Sequence, residues 1–335
     1  MDTNSQALRG IVANAAELIE LKAFAGDFLS GKARPRSRNL AGAHASRSRG
    51  RGMSFAEVRH YQAGDDVRNI DWRVTARTQR THTKLFEEEK ERPVFVLVDQ
   101  RQSMFFGSRE QFKSVFAAKL ACLAAWASQN KHDRIGALLF NDHQQIDLRP
   151  RQGKNACLHL INKLVQLNQH LFEQKDQVRS DAGLSLQTML EEVLRISRPG
   201  SLIYVISDFN DFNRECERAL ALLSRHNELR FLHVSDQLER ELPKSNSAAL
   251  ISDGLQRLRL DCSSKRLRSS YRQSWLTQLK ELENTCMQYR IDLRLFSSDQ
   301  RLQAQLSPAP GHTGIKLSGL AHGNNSTNKV TAGTL

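Results

Sequence analysis

The chain has 335 residues, 39% of them hydrophobic and 25% charged. That balance excludes a wholly disordered chain and suits about two units, one an α/β core of ~200 residues. Forty-nine Lys and Arg stand against 36 Asp and Glu, a net charge of +13, which favours an acidic partner such as nucleic acid, anionic lipid or an acidic protein face.

Residues 4–29 place Leu8, Ile11, Val12, Ala15, Leu18, Ile19, Phe24 and Phe28 at helical spacing and read as one or two helices. Residues 32–51 carry seven Lys or Arg and no acid. This stretch reads as a solvated loop or as a basic arm for an acidic partner, with Arg47, Arg49 and Arg51 the candidate contacts. No aromatic residue interleaves these arginines, so base-specific nucleic-acid recognition is not expected. Residues 53–92 hold short extended segments near Phe55–Tyr61 and Thr81–Glu88, separated by the charged turn GDDVRNIDWRVTAR.

From Pro93 the pattern changes. The runs Val94–Val98, Ile135–Phe140, Leu202–Ile206 and Leu229–Val234 are short and continuously apolar, as in strands buried on both faces. An edge-like segment spans Gln144–Leu148, and a last strand Ile291–Phe296. Helical patterns fall at Glu110–Gln129, Asn155–Leu167, Gly183–Ile196, Glu215–Arg225 and Lys265–Tyr289. Ser252-Asp253-Gly254 marks a hairpin between Ala248–Ile251 and Leu255–Leu260. The alternation predicts an α/β fold with a doubly wound, mostly parallel sheet and helices on both faces. The expected divisions are an N-terminal helical and irregular segment (1–92), the α/β domain (93–300) and a disordered tail (301–335).

Five separated cysteines without a CxxC pair argue against a disulfide framework and a zinc site. Neither a leader-like start nor a run of ~20 apolar residues is read, so a soluble, cytoplasmic chain without a transmembrane segment is expected. No phosphate loop, G-x-S-x-G elbow or HExxH occurs, and no enzymatic activity is expected.

In an open α/β sheet ligands gather at the carboxyl ends of the strands. Two strands here end in carboxylates, Asp99 and Asp208, and Asp99 opens the loop Asp99-Gln100-Arg101-Gln102-Ser103. Asp and hydroxyl oxygens so spaced are the ligand type that Mg²⁺ takes. The loop resembles the metal-ion-dependent adhesion site of von Willebrand factor A domains. Residues 49–107, with Gly64-Asp65-Asp66-x-Arg68-x-Ile70-Asp71-Trp72 and Thr75-Ala76-Arg77, resemble the bacterial family called domain of unknown function fifty-eight.

That resemblance implies a von Willebrand A-like domain and a scaffold that works with a MoxR-type AAA+ ATPase and other von Willebrand A proteins. It also implies a metal site at Asp99, Ser103 and Asp208. The pattern departs where the family has Ser and this chain has Arg101, and where Leu184 follows Gly183 in place of Thr. A guanidinium repels a cation, so Arg101 is expected to pair with Asp99 or Asp208 and to leave the site degenerate, with Mg²⁺ disfavoured. Asp65, Asp66 and Asp71 are expected to pair with Arg68, Arg73 and Arg77 as a structural turn, with Trp72 a buried anchor. The resulting expectation is a protein–protein interaction scaffold. A basic module binding nucleic acid or anionic membrane through residues 32–51 is the alternative.

Overall fold

A computed structural model describes residues 8, 10–29, 53–62, 64–88, 92–173, 183–244, 248–252 and 257–306. In chain order the helices are α1 Ala15–Glu20, α2 Ala25–Leu29, α3 Trp72–Thr78, α4 Lys113–Asn130, α5 Lys154–Glu173, α6 Leu186–Ile196, α7 Arg214–His226, α8 Gln237–Arg240, α9 Lys265–Gln288 and α10 Leu302–Leu306. The strands are β1 Met53–His60, β2 His82–Glu88, β3 Pro93–Asp99, β4 Arg134–Phe140, β5 Gln145–Arg151, β6 Leu202–Ser207, β7 Glu228–Ser235, β8 Ala248–Ser252, β9 Arg257–Asp261 and β10 Asp292–Ser297.

The chain divides into two units, Arg34–Glu91 and the remainder. In the larger unit six strands form one sheet in the order β10-β7-β6-β3-β4-β5, parallel except for β5, which runs antiparallel along β4. The apolar runs sit where their composition requires: β3, β4, β6 and β7 are buried along almost their whole length. β5 alternates between exposed and half-buried positions, as an edge strand does. Two apolar layers flank the sheet. One gathers Val94, Val96 and Val98 with residues of α1, α2, α4, α5 and α10. The other gathers Phe95, Leu97 and Val205 with residues of α6, α7 and α9.

α4 is apolar all round because it is covered all round. Every residue from Lys113 to Ser128 except Lys119 is buried, between strands β3, β4, β6 and β7 and a cover of α1, α2 and α5. Trp126 fixes that cover: it is fully buried and its indole N–H donates to the Leu18 carbonyl at 3.2 Å. Residues 10–29 therefore join the α/β unit, whereas Arg34–Glu91 form a unit of their own. At the other end Leu302–Leu306, placed by sequence at the start of a disordered tail, form a helical turn with Leu302 buried. Residues 307–335 lie outside the described residues, as do Arg47, Arg49 and Arg51.

The smaller unit is the antiparallel β1–β2 pair, running from Met53↔Glu88 to His60↔His82 with a register shift between Phe55 and Glu57, and with α3 in its connection. Here two expectations are corrected. The three carboxylates of the turn are used locally: Asp65 pairs with Arg59 at 2.7 Å, Asp66 accepts from the Arg68 N–H, and Asp71 caps α3 through the Arg73 and Val74 N–H groups and lies 3.6 Å from Lys84. Capping takes Asp66 and Asp71 because each immediately precedes a helical start, where unpaired N–H groups are nearest. The bond from the Val74 N–H, set against a small desolvation, holds the Asp71 carboxyl below its ordinary range. Trp72 is not a buried anchor but 68% exposed, since the Asp71 cap starts the helix at Trp72 and Val74 and Thr75 take the half-buried face.

Among the described residues no helix is long and apolar enough to cross a membrane. The five cysteines are free and buried.

Candidate functional site

Parallel strands β3, β6 and β7 deliver Asp99, Ser207-Asp208 and Ser235-Asp236 to one edge of the sheet. β3 is the strand from which the chain departs to β4 on one side and has β6 on the other. The carboxylates thus stand where a doubly wound sheet changes winding direction, the usual place for a ligand.

Two basic side chains fill this edge. Arg101 is 2% exposed. Its Nε and Nη2 donate to the two Asp99 oxygens at 3.0 and 2.7 Å. Its Nη1 and Nη2 donate to Asp211 at 2.5 and 2.8 Å, and Nη1 also reaches the Leu184 carbonyl at 3.4 Å. All five guanidinium N–H donors are thereby used, in the fork geometry that makes arginine the residue for a buried carboxylate pair. The guanidinium also lies 5.1 Å from the Phe140 ring centre. Burial would lower its pKa, but the Asp99 charge and the Asp211 bonds outweigh that and hold it charged, above the ordinary arginine range.

Lys113, at the first turn of α4, has no exposed surface. Its Nζ lies 2.8 Å from Asp208 and 2.5 Å from Glu239. Burial opposes its charge, yet these two carboxylates raise its pKa above the ordinary lysine range. Asp208 is buried too; desolvation would raise it, but Lys113 dominates and the carboxyl falls to about 2.

The outer carboxylates are held in turn. Asp211 accepts the Leu186 N–H at the start of α6 at 2.8 Å. Glu239 accepts the Asp236 N–H at 3.0 Å in a capping box that opens α8. Phe209, at φ 55°, turns the chain sharply after Asp208 so that Asp211 faces Arg101; a bulky residue seldom adopts that conformation. Asp99 gains a further bond from Ser207 Oγ at 2.7 Å.

The geometry places Asp99, Arg101, Ser103, Asp208 and Leu184, whereas Arg47, Arg49 and Arg51 lie outside the described residues. Arg101 does pair with Asp99, and its second carboxylate is Asp211, while Asp208 belongs to Lys113. Ser103 Oγ is buried without a hydrogen-bond partner among the described residues and is not joined to either pair. Leu184 is at the site through its backbone carbonyl, and its side chain packs into the apolar layer beside α6 and α7. A divalent ion does not fit this donor set as it stands, because ammonium and guanidinium groups already bond the oxygens it would need. Among the described residues no group of three or more His, Cys, Asp and Glu is placed to hold a metal.

Sequence reasoning missed Lys113, Asp211, Glu239 and His233. His233, on β7, is 6% exposed and stacks on Phe209 with centroids 5.9 Å apart. Its Nδ1 has no hydrogen-bond partner among the described residues, and burial pushes its pKa down to about 4. The available signals were a lysine opening an otherwise apolar helix and the repeated Asp-Phe-Asn of residues 208–213.

Two curated relatives, uncharacterized proteins of Mycobacterium tuberculosis and Mycobacterium bovis, are each 28% identical over 211 residues, 63% of this chain. The match spans 64% of the relatives' own length, and it accompanies a broader family match over residues 57–281, which takes in both the Asp65–Trp72 turn and the apical strand ends. The chain belongs to the family described as Protein of unknown function DUF58.

Proposed function

We propose that the chain is a non-enzymatic protein–protein interaction scaffold with a von Willebrand A-like domain, in which Arg101 and Lys113 stand in place of an apical divalent ion. The observation that carries this reading is the saturated guanidinium: five donors, two carboxylates and a carbonyl, with almost no exposed surface. A centre whose Asp99, Asp208, Asp211 and Glu239 are each engaged by an internal cation holds a shape. Its four carboxylates serve as partners of the two cations rather than standing free as general bases. Such a network fixes the relative positions of the β3, β6 and α6 termini more than it adds net stability.

The family resemblance supplies the expected partner, a MoxR-type AAA+ ATPase, with other von Willebrand A proteins as further members of a chaperone-like assembly. Calorimetric titration of the full chain with Mg²⁺ and Mn²⁺, followed by titration with a purified MoxR-type ATPase in EDTA, tests the reading. No stoichiometric metal binding and a metal-independent complex are expected. Tight metal binding that is lost in Asp208→Ala refutes the internal-cation reading, and failure to bind the ATPase removes that partner.

A further inference from the structure

The smaller unit carries a surface that its own fold does not explain. Trp72 is 68% exposed and Val67 61%. A single exposed apolar side chain is ordinary on a protein surface, so what sets Trp72 apart is the charge that accompanies it. In α3 the Val74 and Thr75 positions are half-buried, and Thr75 Oγ accepts the His82 N–H at 3.0 Å. Trp72, Arg73, Ala76 and Arg77 are then the solvent-facing positions, all exposed, with spacings i, i+1, i+4 and i+5 that form one stripe of a helix.

Charge says what covers it. The acids nearest to this stripe are spent within the unit: Asp65 on Arg59, Asp66 and Asp71 as helix caps, Asp71 also near Lys84. Arg68, Arg73 and Arg77 are exposed and make no ion pair among the described residues. An exposed indole in one short segment with three exposed guanidinium groups has the composition of an interface hot spot, where Trp and Arg are enriched. The same groups suit nucleic acid less well. Bound single strands stack successive bases on several aromatics, and here the exposed segment offers one indole, with an exposed Asp66 in the same segment.

We propose that the face formed by Val67, Arg68, Trp72, Arg73 and Arg77 docks an acidic protein surface whose apolar pocket receives the Trp72 indole. The proposal rests on the interaction reading above but not on the apical chemistry, since no residue of the Asp99–Arg101 site takes part.

The test uses the full chain in its native host, with photoreactive p-benzoylphenylalanine in place of Ala76, one helical turn from Trp72. Irradiation is expected to give an adduct with a different protein, joined within an acidic segment. That protein, purified, should bind the unmodified chain. Trp72→Ala should weaken binding about 30-fold or more, the size of a hot-spot truncation. Arg73→Glu with Arg77→Glu should weaken it through a slower on-rate and reduce its salt dependence. Melting temperatures of all variants should stay unchanged, and the charge-reversed chain provides the answer if Trp72→Ala does not fold. An adduct with nucleic acid, with lipid or with another copy of this chain overturns the proposal. So does the absence of any adduct, or a partner whose affinity neither variant changes. The adduct should persist in Arg101→Ser, so loss of the apical reading and loss of this one are separable.

Discussion

Replacing Arg101 by Ser is the most direct probe of the apical site. The guanidinium is 2% exposed, and its removal deletes five hydrogen bonds. Asp99 is left fully buried, with Ser207 Oγ and the residue-101 N–H as its remaining donors. Breaking a buried pair from one side costs about 3–5 kcal/mol. For a unit of this size each kcal/mol moves the melting temperature by roughly 2–4 °C, so a fall on the order of 10 °C is expected. The variant has lost the fixed charge that repelled a cation and gained a hydroxyl. Adding Leu184→Thr offers a second hydroxyl beside the Leu184 carbonyl, at some packing loss in the apolar layer. An ion present at about 100 times its dissociation constant returns ~2.7 kcal/mol. Thermal melts with and without Mg²⁺ should therefore show no shift for the wild type and a rise of several degrees for the double variant, abolished by Asp99→Ala. Unchanged stability of Arg101→Ser, or Mg²⁺ stabilisation of the wild type, refutes the reasoning.

Lys113→Met should cost about 3–5 kcal/mol in urea denaturation, because Asp208 and Glu239 lose their shared cation; Asp208→Asn in that background should recover part of it, and simple additivity of the two losses would show that the pair is not coupled. The buried His233, facing the charges of Asp208, Lys113 and Arg240, has its pKa lowered from 6.5 to about 4 chiefly by burial. The unfolded chain takes that proton more readily, so the contribution is fully present above pH 6.5 and is lost as pH falls through about 4. Between pH 7 and 4.5 the wild type should lose about 2–3 kcal/mol more than His233→Gln, and equal pH slopes would sink the assignment. Gly107→Ala should destabilise by about 1–3 kcal/mol, since its Cβ would lie 2.5 Å from the Gln111 carbonyl oxygen and 2.8 Å from the Phe112 Cα. Gly26→Ala, where a Cβ meets nothing within 4 Å, should instead be neutral or stabilising in a thermal melt.

What the sequence reveals of this chain follows from the range of the interactions involved. β3, β4, β6 and β7 are legible because burial on both faces leaves an uninterrupted apolar run. The Asp99–Arg101 contact is legible because its members are two residues apart and a strand end brings both to the same edge. Asp211 and Glu239 are not, since each meets its cation 110 and 126 residues away along the chain. Lys113 hides for another reason: a lysine opening a helix ordinarily points to solvent, and only the packing of α4 against four strands buries it. Trp72 reads as core by residue type alone, but the Asp71 cap sets the helix phase and puts the indole outside. The covering of α4 by Ala15–Leu29 was implicit in the all-round apolarity of Phe116–Ala127, a pattern that requires partners on every side.

A tethered cation and an exchangeable one differ in what they permit a partner to do. A bound metal keeps an open position that an incoming carboxylate can complete. On the reading proposed above the corresponding position is closed from within, by Asp211 on Arg101 and by Glu239 on Lys113. A partner's carboxylate could reach the guanidinium only by displacing Asp211. That acid is held by two arginine bonds and by the Leu186 N–H. Displacement would expose the start of α6 and exchange one ion pair for another, with little net gain. The apical edge is therefore poorly suited to acidic recognition, however basic the chain as a whole. Uncommitted positive charge lies instead in the smaller unit, beside Trp72, where arginines already face solvent and no internal carboxylate has to leave. Reversing Arg73 and Arg77 should consequently weaken an acidic partner far more than Lys113→Met does at equal fold stability.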